Sequence, residues 1–271
     1  MFEKVQNFIV MGKSGSGKQP RVDVLIRRFG LKQLSTGDIF RHYLGLFNVL
    51  NVEGELSVFF DPTKDDFIAD AEIKDRLNIT AHENAEAIVL GLKAKYYVNQ
   101  GRFVPDRITN ALFESAFQAL EFKGAVLDGF PRTVEQAQFL VDLANRKGVK
   151  LDAIVLVENE DELIIGRTLG RRICKSCGEL YHMEFRPPPN PGECVSPNPV
   201  CDVVQRSDDN IESLKKRLEE FRTKTRPAIE YLKQAGIPFY SVPGNLPDYS
   251  PARVEASVCE ILGLASTSPS V

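Results

Sequence analysis

The sequence predicts an α/β fold: a parallel sheet with helices on both faces. Short apolar runs alternate with segments of helical spacing along the chain, and that alternation joins parallel strands through crossing helices. One run, VQNFIVM at 5–11, leads into GKSGSGK at 12–18, a loop of the form G-x-x-x-x-G-K, with a helical pattern after it. A strand, a glycine loop and a helix in that order form a phosphate-binding context.

The elements follow in order. RVDVLIRRFG at 21–30 places Val22, Val24, Leu25, Ile26 and Phe29 at helical spacing and stops at Gly30. Residues 44–80 have mixed polarity and no firm period. Helical spacing resumes from about Asn84 to Tyr97, ended by Gln100-Gly101, and again from about Asp106 to Glu121. AVLDGF at 125–130 reads as a short buried strand with a polar end. TVEQAQFLVDLANRKG reads as a helix capped by Gly148, and LDAIVLVE at 151–158 as a third strand. A helix over about Asp161–Thr168 precedes a region whose PPPNP and SPNP exclude long regular elements. NIESLKKRLEEFRTKTRPAIEYLKQAG is helical again, with Asp208 or Asp209 as the expected N-cap. FYSV at 239–242 is the fourth strand, and a helix near 251–264 closes the fold. STSPSV is expected to be loose.

Composition narrows the class. The 271 residues are 43% hydrophobic and 26% charged, enough for a sizeable core. Thirty-four basic against 37 acidic residues give a net charge of −3, so no general attraction to nucleic acid or acidic membranes is expected. No apolar run approaches the roughly 20 residues of a membrane span. MFEKVQNFIVMG lacks the regions of a signal peptide, and a cytoplasmic location is the expectation. Four of the five cysteines fall between 174 and 201, which in a reducing compartment reads as metal binding before disulfides.

The loop residues explain themselves chemically. Gly12, Gly15 and Gly17 let the backbone turn its N–H groups towards phosphate oxygens, Ser16 lies among them, and Lys18 adds a charge. Such a loop normally ends in Ser or Thr; here Gln19-Pro20 follow the lysine. The first turn of a helix tolerates Pro20. The lost hydroxyl predicts reduced turnover rather than none.

LSTGDIFR at 34–41, DGFPRTVEQAQFL at 128–140, LGRRICKSCGELYHMEFRPPP at 169–189 and QRSDDNIESLKKRL at 205–218 resemble the adenylate kinase family in its long-lid, zinc-containing form. The resemblance implies a phosphate-loop core (about 1–40, 105–170 and 210–271), a mobile monophosphate-binding lobe (41–104) and a zinc-bearing lid (171–209). It implies Mg²⁺-dependent transfer between ATP and AMP by a cytoplasmic monomer with no nucleic-acid or membrane partner. Thr36, Arg41, Arg132 and Gln136 would then hold the monophosphate, Arg132 on its phosphate and Gln136 on its adenine. Arg167, Arg171, Arg206 and Arg217 would embrace the triphosphate and the transferring group. Gly244 would lie beside the donor nucleotide, and Asp128 would orient the magnesium waters. These residue types suit phosphoryl transfer, which needs positioning and positive charge around oxygens that gain charge. Another nucleoside monophosphate kinase, or a weakened nucleotide-binding homologue, is the alternative.

The same resemblance implies a zinc site at Cys174, Cys177 and Cys194. The family's fourth ligand position is Pro197 here, so Cys201 is expected to take its place, with His182 and Asp202 as rivals. Four thiolates make a closed, structural site. Cys259 is expected in the core. The span from Arg41 to Gly101 is roughly forty residues longer than in the family, an insertion at about 46–85. It can alter acceptor choice, offer a partner surface or decorate the lobe; decoration is the reading favoured.

Overall fold

The computed structural model describes residues 5–52, 54–184, 186–189, 194, 202–205 and 209–265. Its centre is a five-stranded parallel sheet of β1 (Asn7–Met11), β2 (Lys32–Ser35), β5 (Ala125–Asp128), β6 (Ala153–Glu158) and β10 (Phe239–Pro243). The spatial order is β10-β6-β1-β5-β2. Four of these strands are those expected. The fifth, KQLS, escaped the sequence reading because it is an edge strand with Leu34 as its one buried side chain.

The sheet has the helix layers that crossing connections require. Phe8 and Val10 of β1 pack with Val22, Val24 and Leu25 of α1 (Lys18–Phe29) and Val254, Val258 and Leu262 of α10 (Pro251–Leu262). Ile9 and Met11 face the other way. They join a larger core with α5 (Asp106–Gln118), α6 (Val134–Lys147) and α9 (Arg226–Gln234). The period of two along a strand produces this split, and a strand covered on both faces needs no polar face.

The phosphate loop leaves the carboxyl end of β1, where the chain's path across the sheet reverses. Crevices at such points are the ligand sites of open α/β sheets. Beyond β2 run α2 (Thr36–Asn48), a 3₁₀ turn (Leu56–Phe59), a hairpin of β3 (Phe60–Asp61) and β4 (Asp66–Phe67), α3 (Asp70–Arg76) and α4 (Ala85–Asn99). The stretch without a readable period is therefore short elements rather than loop. The inserted residues Phe59, Phe67, Ile73 and Ile79 are buried in the larger core. Phe60 stacks on Tyr96 at 4.8 Å, and Phe67 meets Tyr96 and Tyr97 edge-on.

After α7 (Asp161–Gly170) comes a small antiparallel sheet of β7 (Arg171–Cys174), β8 (Leu180–His182) and β9 (Val203–Val204), in the order β8-β7-β9. Then α8 (Ile211–Glu220) runs through a π-helical turn (Phe221–Thr225) into α9. The N-cap of α8 is Asn210, whose side chain accepts from the Ser213 N–H. Asp209 is bound to Arg171 instead, and Asp208 lies outside the described residues.

Candidate active site

Each glycine of the phosphate loop is required by its surroundings. A Cβ on Gly12 would sit 2.6 Å from the Val157 carbonyl, and one on Gly15 2.6 Å from Thr168 Oγ1. Gly17 takes φ 89°, a left-handed conformation, and opens α1. Lys18 is the first residue of α1, and its Nζ donates to the carbonyls of Gly12 (2.9 Å) and Lys13 (3.0 Å). Its pKa is lowered to about 8, chiefly by burial. Asp128 pulls it up, and Arg132 and Arg171 push it further down. Ser16 is buried and its Oγ has no partner. Lys13 turns away from the cleft, onto Asp161 at 2.5 Å and the Asn159 carbonyl.

Asp128 ends β5 beside this loop. Its Oδ2 accepts from Gln33 Nε2 at 3.0 Å, its backbone carbonyl accepts from Thr36 Oγ1 at 3.3 Å, and its Oδ1 is buried with no hydrogen-bond partner. A buried carboxylate oxygen left over suits a hard cation or its water shell, so the residues fit the Mg²⁺ expected with a nucleotide.

Past the Asp128-Gly129 turn, Arg132 Nε donates to the Gly129 carbonyl at 2.8 Å. Gln136 is buried on the first turn of α6. Its Oε1 accepts from the Arg132 N–H (2.8 Å) and its Nε2 donates to Asp106 (2.7 Å). Thr133, the N-cap of α6, donates to the other oxygen of Asp106 at 2.6 Å. This knot fixes the start of α6 to that of α5.

A cleft of about 720 Å³ joins these parts; Lys18, Thr36, Arg132, Gln136, Arg171 and Arg217 all line it. Arg171 reaches it as a fork bound by both carboxylate oxygens of Asp209, at 2.9 and 2.5 Å, with the aspartate wholly enclosed. Two expected residues lie elsewhere. Arg41 pairs with Asp38 on the exposed side of α2. Arg167 packs over the Tyr249 ring (4.8 Å) and donates to Asn245 (2.8 Å) and the Gly244 carbonyl (3.3 Å). Gly244 itself abuts the phosphate loop: a Cβ there would be 2.2 Å from the Ser16 carbonyl. Arg206 lies outside the described residues.

At the end of β7, Cys174 meets Cys177 of the following turn and Cys194: their sulfurs lie within 4.8 Å of one another, and those of Cys177 and Cys194 are 3.3 Å apart. Hydrogen bonding from the Cys177 backbone N–H, against burial, lowers Cys174 to about 6, favouring the thiolate a metal needs. Cys201 lies outside the described residues. The rivals are engaged elsewhere: Asp202 with Lys175 at 2.9 Å, and His182 against Gly170, whose added Cβ would strike its ring.

Sequence reasoning missed five contributors. Asp106 and Thr133 look like ordinary helix-start residues, and only the paired helix ends show their use. Tyr249 follows the last strand with no motif around it. Gln33 lies in the strand that was not recognised. Arg21 looks in the sequence like no more than the first residue of an apolar helix; it is fully buried and donates to the carbonyls of Gly17 (3.2 Å) and Pro243 (2.7 Å).

Sheet order, phosphate loop and a cleft walled by cations define a P-loop phosphotransferase. The adenylate kinase family model matches residues 77–237, more than half of the chain. Relatives called adenylate kinase agree over most of their length. The protein of Desulforamulus reducens is 35% identical over 232 residues, 85% of this chain and 89% of its own. That of Clostridium beijerinckii is 31% identical over 258 residues, 94% and 97%, and that of Clostridioides difficile 33% over 232, 84% and 87%. The chain belongs to the adenylate kinase family.

Proposed function

We propose that this protein transfers a phosphoryl group reversibly between ATP and AMP with Mg²⁺. The observation that carries the reading is one cleft receiving cations from four chain segments: Lys18, Arg132, Arg171 and Arg217. Lys18 and the loop N–H groups would hold the donor phosphates. Arg171 and Arg217 would face the transferring group, where negative charge develops on the equatorial oxygens. Arg132 would hold the acceptor phosphate and Thr36 the acceptor site. Gln136 would read adenine with the N–H that Asp106 leaves free. Mg²⁺ bound with the nucleotide would supply positive charge to the phosphates, and Asp128 would orient its waters through Oδ1.

The division into core, acceptor lobe and lid belongs to the same proposal, with Arg41, Arg167 and Arg206 turning to the nucleotides when the lobes close and water is excluded. In the lid, Zn²⁺ would be held by Cys174, Cys177, Cys194 and Cys201 and would order a lobe too small for a core of its own. A cytoplasmic monomer with ATP and AMP as its partners completes the reading. No helix among the described residues is long and apolar enough to cross a membrane.

A coupled assay with ATP, Mg²⁺ and each nucleoside monophosphate tests it. ADP formed fastest with AMP is expected. Faster turnover with another monophosphate would change the acceptor, and bound nucleotide without turnover would leave a binding protein.

A further inference from the structure

Gln19 occupies the place where phosphate loops carry a small or hydroxyl residue, and its side chain turns sideways along the surface. Its Nε2 donates to Gln33 Oε1 at 3.0 Å, and Gln33 Nε2 donates back to Gln19 Oε1 at 3.1 Å. The two amides thus meet edge to edge in a reciprocal pair. Each has one N–H left. That of Gln19 reaches Asp23 Oδ1 at 2.9 Å, and that of Gln33 reaches Asp128 Oδ2 at 3.0 Å. Carboxylates only accept, so only one orientation of both amides makes all four bonds. Flipping the pair would aim two oxygens at two carboxylates. The relay Asp23–Gln19–Gln33–Asp128 therefore has a fixed sense, and it ends on the carboxylate whose other oxygen is buried without a partner.

We propose that Gln19 is a positioning residue for the metal shell: paired with Gln33, it fixes the Asp128 carboxylate so that Oδ1 faces the waters of Mg²⁺. This rests on the reading of Asp128 given above. A carboxylate held by one hydrogen bond can rotate about its last bond. A donor whose own amide is clamped by a second amide cannot follow that rotation, so the outer oxygen stays occupied and the inner one stays free. The pair sits at the protein surface, partly wet, so its contribution is moderate. The relay gives a substituted loop a second route to an ordered metal shell, through the strand beside it rather than through a loop hydroxyl.

The test uses Gln19→Met, Gln33→Met, the double variant and Asp128→Asn. Two readouts are taken: the Mg²⁺ concentration for half-maximal rate, and Mn²⁺ affinity by electron paramagnetic resonance with a non-hydrolysable ATP analogue bound. Gln19→Met and Gln33→Met are each expected to weaken Mn²⁺ and raise the Mg²⁺ requirement about three- to tenfold. KM for AMP should stay within about twofold. The double variant should be no worse than Gln33→Met alone, because members of one relay do not add. If Asp128→Asn loosens the metal and Gln19→Met does not, the inference is overturned while the reading of Asp128 stands. If Asp128→Asn itself leaves Mn²⁺ affinity unchanged, both fall.

Discussion

Lys18 shows how a residue legible in the sequence acquires its chemistry only from the fold. The motif predicts a lysine near phosphate; the structure lowers its pKa to about 8 from the ordinary 10.5 by burying it. A folded-state value below the unfolded one means the charged form is penalised in the fold. That penalty is complete below about pH 8 and is relieved as pH rises towards 10.5. Phosphate charge restores the ammonium, so ATP binding near pH 8.5 is expected to take up a large fraction of one proton. Calorimetry in buffers of different ionisation enthalpy measures it, and Lys18→Met should abolish it. Arg21 makes the complementary point. Its wholly buried guanidinium ties Gly17 to Pro243, so it joins the phosphate loop to the end of β10. Arg21→Met removes a donor from each of two carbonyls and should cost about 2–4 kcal/mol, read by denaturant unfolding.

At the scale of elements, close approach decides what side chains can do. A Cβ on Gly91 would lie 2.2 Å from the Tyr43 carbonyl, so α2 and α4 touch through backbone at that point. Gly91→Ala must part the two helices, at about 1–3 kcal/mol. Thr36 begins α2 and lines the cleft, so KM for AMP should rise in the same variant while KM for ATP holds. The insertion behaves differently. None of the described residues between 46 and 85 lines the cleft, yet Ile73 is fully buried and shares the main core. Ile73→Ala should therefore cost about 2–5 kcal/mol of stability and leave the KM for AMP near its original value. An unchanged melting temperature would show the insertion to be ornament after all. Periodicity could not reveal this, because the inserted elements are too short to repeat a pattern and are stabilised by aromatic contacts with α4.

On the scale of the whole molecule, the charges are gathered from segments far apart in the chain, and the cluster of Cys174, Cys177 and Cys194 forms apart from the cleft, at the end of β7. Metal removal should thus act locally. Dialysed protein is expected to hold about one Zn²⁺ per chain. Chelation should expose the lid to proteolysis within 171–209 before the five-stranded sheet unfolds. A content far below one ion would remove the zinc from the reading.

The sequence by itself determined the α/β class, four of five sheet strands, the phosphate loop and the residue types of the cleft. These are local matters of period, glycine placement and motif spacing, which neighbours in the chain dictate. Only the tertiary structure decided which groups the cleft lines, that Arg41 and Arg167 stand outside it, that Asp209 holds Arg171, and that Gln19 reaches Asp128 through Gln33. The reason is physical: burial, hydrogen-bond pairing and close backbone approach join residues dozens of positions apart, and no local pattern encodes which of several chemically suitable partners will arrive.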